Sequence, residues 1–207
     1  DKVATTNSLE LLEESDLTVL AISDDSIQEV SKQIKNSFVV HTSGGKSINE
    51  LKNNSNKGVF YPLQTFSKEK NVALSKVPFC LEADNKKDLQ LLKRIVNSLD
   101  SNWYEIDSEQ RKYLHAAAVF ANNFSNHMYV LAKDICEQHN VPFQILYPLI
   151  QETSQKIVDL SPEKSQTGPA IRNDQKTIEK HVNLLSKKQK DIYKLITESI
   201  QNHGKKL

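Results

Sequence analysis

Between Lys112 and Lys133 lie twenty consecutive residues without a charged side chain. Ala117, Phe120, Phe124 and Leu131 recur there at helical spacing, and Ile135 continues the stripe. His115, Asn122, Asn123, Asn126 and His127 interrupt it with polar groups. A helix that is uncharged all round is ordinarily buried all round, and an unpaired buried polar group costs about 1–3 kcal/mol. Each of these amides and imidazoles is therefore expected to meet a neighbouring helix, a water or a ligand. For Asn126 and His127 the simpler expectation is a dimer or domain interface. His115 and Asn122 are seven residues apart, which places them within about 20° of eclipsed on an α-helix. Such a pair can line a pocket, the imidazole donating a proton to a substrate or orienting it, the amide hydrogen-bonding its polar group.

A second set of candidates follows the apolar runs that read as strands. In an open parallel sheet, ligands bind beyond the carboxyl ends of the strands. Ser23-Asp24-Asp25 and His41-Thr42-Ser43-Gly44-Gly45 stand at two such ends. Paired glycines let a backbone approach a ligand closely, and the hydroxyls can donate to it. Tyr61-Pro-Leu-Gln64-Thr65-Phe66 follows a third strand and can form a further wall. Thr167-Gly-Pro169 with Arg172, Asn173 and Asp174 is the polar, conformationally forced loop of the second half. Arg172 suits a carboxylate or phosphate, or more simply an ion pair with Asp174 beside a helix cap.

The elements that would position these residues divide the chain in two. Leu17–Ile22, Phe38–His41, Val59–Tyr61, Pro78–Ala83 and Trp103–Ile106 read as short strands. Amphipathic runs separate them, among them a short helix Asn7–Ser15 with an Asn7/Glu10 capping box. Others carry Ile27, Val30 and Ile34, or Leu89, Leu92, Val96 and Leu99, and Ser47 with Glu50 caps a short turn. Continuous apolar strands alternating with helices predict a largely parallel sheet covered on both faces. From Ser108 the pattern becomes helical and stays so: one helix to about Asn140, ~50 Å long at 1.5 Å per residue, then a break at Val141-Pro142. Three further helices follow, carrying Leu146 to Leu160, Ile178 to Leu185 and Ile192 to Ile200. The expected division is an α/β domain over residues 1–107 and an all-helical domain over 108–207. A ~50 Å helix outruns a half-chain whose radius of gyration is ~13 Å, which points to a homodimer built through the helical half.

Composition excludes several classes of function. The 207 residues are 38% hydrophobic and 26% charged, with 27 basic and 26 acidic side chains and a net charge of +1. No field for a polyanion results, so nucleic acid is not an expected partner. The five glycines, at 44, 45, 58, 168 and 204, form neither a G-x-G-x-x-G nor a Walker-type loop. There is no G-x-S-x-G elbow or H-E-x-x-H motif, and the six histidines show no metal-ligand spacing. Cys80 and Cys136 make no disulfide framework and no metal pair, which predicts a reducing compartment. With no signal-like start and no apolar run of ~18 residues, a soluble cytoplasmic protein is expected, away from membranes.

His41-Thr-Ser-Gly44, Tyr61-Pro-Leu-Gln-Thr-Phe66, His115-Ala-Ala-Ala-Val-Phe-Ala-Asn-Asn123 and Thr167-Gly-Pro-Ala-Ile-Arg-Asn-Asp174 occur in this order. Together they resemble the bacterial family of Rossmann-like proteins that carry a C-terminal domain of unknown function, relatives of pyrroline-carboxylate reductase and of deazaflavin-dependent NADP oxidoreductases. The resemblance implies a Rossmann-type first domain, a helical dimerising second domain and binding of NADP or NAD. Family members open with a strand, a glycine-rich loop and a helix that this chain lacks, so a truncated chain is expected: a Rossmann-like α/β sheet without its first strand–loop–helix unit. On this reading the nicotinamide half of the cofactor lies across Ser23, Asp24, Asp25, Thr42, Ser43 and Gly44. His115 and Asn123 then face a small-molecule substrate. Asn123 matches the family motif, whereas helical spacing favours Asn122. Gln64, Thr65 and Arg172 are candidates for the pocket wall, and Tyr61 stands where many relatives have histidine. The expected function is an NAD(P)-dependent oxidoreductase; the alternative is a non-catalytic nucleotide-sensing or protein-interaction protein on the same fold.

Overall fold

A computed structural model describes residues 3–13, 15–35, 38–52 and 56–204. Five strands form one sheet in the order β1-β2-β3-β4-β5: Thr18–Leu20, Phe38–His41, Asn56–Pro62, Phe79–Ala83 and Trp103–Glu105. The pairs β1–β2, β2–β3 and β4–β5 are parallel, and β3–β4 is antiparallel. This is the Rossmann-like, mostly parallel sheet expected, followed by a helical region.

Strand β2 shows why the sheet must be covered twice. Successive strand residues point to opposite faces, and Val39 and Val40 are both fully buried. Val40 packs with Phe38, Phe79, Leu81 and with Leu92 and Val96 of helix α2 (Lys86–Ser98). Val39 packs with Leu20, Leu51 and with Ile27 at the start of helix α1 (Ile27–Ser31). Helix α2 begins where the Asn85 side chain accepts from the Asp88 N–H at 3.0 Å.

By packing, the chain separates into two compact units, Asp1–Ala121 and Asn122–Leu207. The first contains the sheet and helix α3 (Ser108–Ala118). The second contains α4 (Ser125–Gln138), α5 (Tyr147–Asp159), the short α6 (Pro162–Ser165), α7 (Gln175–Leu184) and α8 (Lys187–Gly204). Among the described residues, no helix is long and apolar enough to cross a membrane.

Several local expectations are corrected. In place of a capped helix over 7–15 there is one 3-10 turn, Leu9–Leu11, whose N-cap Ser8 makes no side-chain cap bond. Leu9 and Leu12 remain exposed, so no packing rewards a longer helix there; Glu14 lies outside the described residues. Helix α3 starts at Ser108 and is capped by Asp107 in a capping box with Gln110. The single helix expected over 108–140 is interrupted by a π-helical turn at Val119–Phe124. Its uncharged stretch is not buried within the chain: no residue of α4 is, and Phe120 and Phe124 are exposed.

The turn after β2 is organised by a buried histidine. His41 Nδ1 accepts from the Ser43 N–H at 3.1 Å, which leaves Nε2 to donate to the Ser47 carbonyl at 3.3 Å. Burial, and next the Arg111 guanidinium, push its pKa from 6.5 down to about 4. An unfolded histidine binds its proton below pH 6.5 while His41 in the fold does not, so the unfolded state holds more protons and stability rises with pH across this window. The contribution is complete above pH 6.5 and is lost as the pH drops to about 4, a loss of order 3 kcal/mol. Chemical denaturation across this window should show that slope. His41→Asn, which keeps an acceptor near the Nδ1 position, should reduce it by up to one proton.

Candidate functional site

The carboxyl ends of β1 and β2 adjoin, joined by the Thr42 N–H donating to the Leu20 carbonyl at 3.3 Å. Beyond β1, Ser23 precedes a 3-10 turn, Asp24–Ser26, and its hydroxyl hydrogen-bonds that of Ser26 at 2.8 Å. Beyond β2, the Ser43 hydroxyl accepts from the N–H groups of Gly45 and Lys46, both at 3.1 Å, which closes the loop on itself. Lys46 Nζ stands 3.7 Å from Asp25 Oδ1. Asp24 and Asp25 are exposed, Thr42 is half-buried, and Ser43 and Gly44 are buried.

His115 reaches this loop from α3. Its Nδ1 lies 3.3 Å from the Tyr61 phenolic oxygen, with the two rings edge to face. Both press on Gly44. A Cβ on that glycine would fall 2.6 Å from His115 Nδ1 and 2.8 Å from Tyr61 Oη, so any side chain there would push the two rings aside. A Cβ on Gly45 would stand 3.8 Å from Asp24 Oδ2 and 3.9 Å from His115 Cδ2. Asp24, Gly44, Gly45, Tyr61 and His115 thus share one locale at the strand ends, and the imidazole itself is exposed. Tyr61 is held neutral: burial first, and the neighbouring Cys80 second, raise its pKa above the usual 10.

The remaining candidates are Gln64, Thr65, Asn122, Asn123 and Arg172. Gln64 and Thr65 are exposed beyond β3, and the Gln64 side-chain oxygen accepts from the Thr65 N–H at 2.8 Å, turning back on its own loop. Asn122 and Asn123 are exposed in the π-helical turn. A π turn bonds i to i+5, so the α-helical angle behind the His115–Asn122 pairing does not hold across it. Arg172 is exposed, and among the described residues it forms no ion pair within 4 Å with Asp174. Asp174 instead caps α7, accepting from Thr177 N–H and hydroxyl at 3.1 and 2.7 Å; these bonds hold its carboxyl below the usual carboxylate range.

Two decisive residues were not among the sequence candidates. Arg111, one helical turn before His115 and on the same face, is wholly buried. Its Nη1 pairs with Glu82 of β4 at 2.5 Å, and Nη2 donates to the Lys46 carbonyl at 2.6 Å. Ser108 completes the clasp, donating to Glu82 at 2.8 Å and accepting from the Ile48 N–H at 2.9 Å. Sheet, loop 42–48 and α3 are thereby bound at one point. The sequence signal was an arginine four residues ahead of the candidate histidine. Arg111→Met should cost about 3–5 kcal/mol, because it orphans a largely buried Glu82. Adding Glu82→Gln should recover part of that loss in the denaturation midpoint.

Comparisons with known proteins agree with this architecture. A profile of the family described as Domain of unknown function (DUF2520) matches residues 77–200. A crystal structure titled "putative NADP oxidoreductase", from Bacteroides fragilis, is 38% identical with a TM-score of 0.86, over 95% of this chain and 80% of that one. A Thermotoga maritima protein shares the fold at 22% identity and a TM-score of 0.78, over 95% and 81% of the two chains. A 1-pyrroline-5-carboxylate reductase from Streptococcus pyogenes shares it at 13% identity and a TM-score of 0.54, over 93% and 76%. No curated protein matches the chain. The family profile covers more than half of the sequence, and a relative above 30% identity covers nearly all of it: the chain belongs to the DUF2520 family.

Proposed function

We propose that this protein is a nicotinamide-dependent oxidoreductase of the reductase or dehydrogenase type, with His115 as its proton donor. The observation that carries the reading is the delivery of an exposed imidazole to the carboxyl ends of β1 and β2, where open α/β sheets bind ligands. The Bacteroides fragilis relative, described as an NADP oxidoreductase, supports it.

The groups at these strand ends fit one half of NADP or NAD. The Ser43 hydroxyl and the Gly45 and Lys46 N–H groups are committed to the loop itself. What faces outward is the pair of carboxylates Asp24 and Asp25, acceptors for ribose hydroxyls or a carboxamide and unfavourable to phosphate. The nicotinamide riboside half therefore fits here. When bound, the cofactor supplies or accepts a hydride. The chain's own part is to hold the substrate near His115 and to exchange the accompanying proton at the imidazole. Titrating the protein with NADPH and NADH, followed by nicotinamide fluorescence, should show saturable binding. His115→Gln should leave that binding in place and lower turnover by roughly 10²–10⁴-fold. No binding at millimolar cofactor would instead leave the non-catalytic reading.

We also infer that the helical unit pairs with a second copy. In α4 and α5, Phe124 precedes and Tyr129, Val130, Tyr147, Leu149 and Val158 follow as exposed apolar groups. A groove of about 500 Å³, lined by Met128, Leu131, Ile135, Leu184, Ile192 and Ile196 among others, runs along α4, α7 and α8. Apolar surface on this scale marks interfaces. Light scattering at micromolar concentration should report twice the 23.5 kDa chain mass; the single mass would refute the pairing.

A further inference from the structure

We infer that Tyr61 is a positioning residue that locks the tautomer of His115: its hydroxyl donates to Nδ1, so that the ring carries its proton on Nε2, and Gly44 sets the distance between them. The inference rests on the proposed role of His115 and goes further, to the atom from which the proton leaves.

Geometry supplies the argument. The Tyr61 oxygen is 3.3 Å from Nδ1, and among the described residues no other hydrogen-bond partner of the His115 ring is present. The Nδ1 edge faces Gly44 and Tyr61, whose contact leaves no room there for a substrate. Nε2 lies on the far side of the ring, which is exposed. A neutral imidazole has one donor and one acceptor nitrogen. A phenol that gives its hydrogen to Nδ1 thereby leaves the donor on the open side. The same arrangement occurs one loop away, where His41 Nδ1 accepts and Nε2 donates.

Two roles are open to a tyrosine in this place, a relay that gives up its proton or a clamp that keeps it. Burial holds the Tyr61 phenol above its ordinary pKa, so a phenolate left behind by a relay would be disfavoured. Clamping needs no change in its charge. Gly44 then has a specific use. Any Cβ would lie under 3 Å from both partners, and because both are side-chain ends they would part rather than unfold the sheet.

Isotopically labelled histidine in the whole protein, read by long-range nitrogen–proton NMR, reports the tautomer directly; His115→Gln assigns the signal. The wild type should show predominantly Nε2–H. Tyr61→Phe should lower the ratio of Nε2–H to Nδ1–H roughly threefold, about 0.7 kcal/mol, as suits a long neutral hydrogen bond. Gly44→Ala should do the same with the hydroxyl still present, and Tyr104→Phe, an exposed site on β5, should change nothing. Where a substrate is turned over, Tyr61→Phe should lower kcat and spare cofactor binding. Predominant Nδ1–H in the wild type, or an unchanged ratio in Tyr61→Phe or Gly44→Ala, overturns the inference. The tautomer is measured without cofactor, so a protein that binds no NADPH can still show the lock, and one that lacks the lock can still bind NADPH.

Discussion

Arg111 is fully buried, and a guanidinium cannot shed its proton to escape that environment. It must be neutralised where it lies, and Glu82 at 2.5 Å does so, with the Lys46 carbonyl and Ser108 taking further N–H groups. Among the described residues its Nε has no hydrogen-bond partner. An ion pair of this kind contributes less to net stability than its geometry suggests, because desolvation offsets the attraction. What it does secure is placement: three segments distant in sequence are tied at one charge. His115 follows one turn later on the same helix, and the loop carrying Gly44 ends at the same clasp. The histidine reaches the strand ends because the arginine cannot be anywhere else.

The turn after β2 adds a second constraint of the same nature. His41 and Ser43 saturate the inner polar groups of the loop, leaving its outer rim to Asp24, Asp25 and Lys46. That rim of two carboxylates and one ammonium is net negative and offers acceptors to hydroxyl and amide donors. The second unit is built on the opposite plan, with few buried side chains and long apolar faces left open.

Much of the fold was legible because each strand is short, apolar and bounded by turn residues. All five strands fall within three residues of the positions read from the sequence at either end, and Phe38–His41 matches at both. Val39 and Val40, buried on opposite faces, are what a continuous apolar run predicts for a doubly covered strand. The turn at Leu9–Leu11 was misread because a capping signature needs an apolar face to bury, and Leu9 and Leu12 find none. The π turn at Val119–Phe124 left no trace, since Phe120 and Phe124 keep α-helical spacing across it; this is why Asn122 and Asn123 could not be told apart. His115 and the strand-end loops were found by residue type and position. Glu82 and Arg111, separated by 29 residues and in different elements, meet only in three dimensions, and local periodicity carries no record of such a pair.

The claim that a nicotinamide cofactor sits across the ends of β1 and β2 is open to one direct measurement. Backbone amide shifts of the labelled protein can be followed as NADPH is added. Perturbations concentrated at Asp24, Thr42, Gly44, Gly45 and His115 are predicted, the residues that the structure gathers there. Perturbations confined to the helical unit, or none at saturating cofactor, would contradict it.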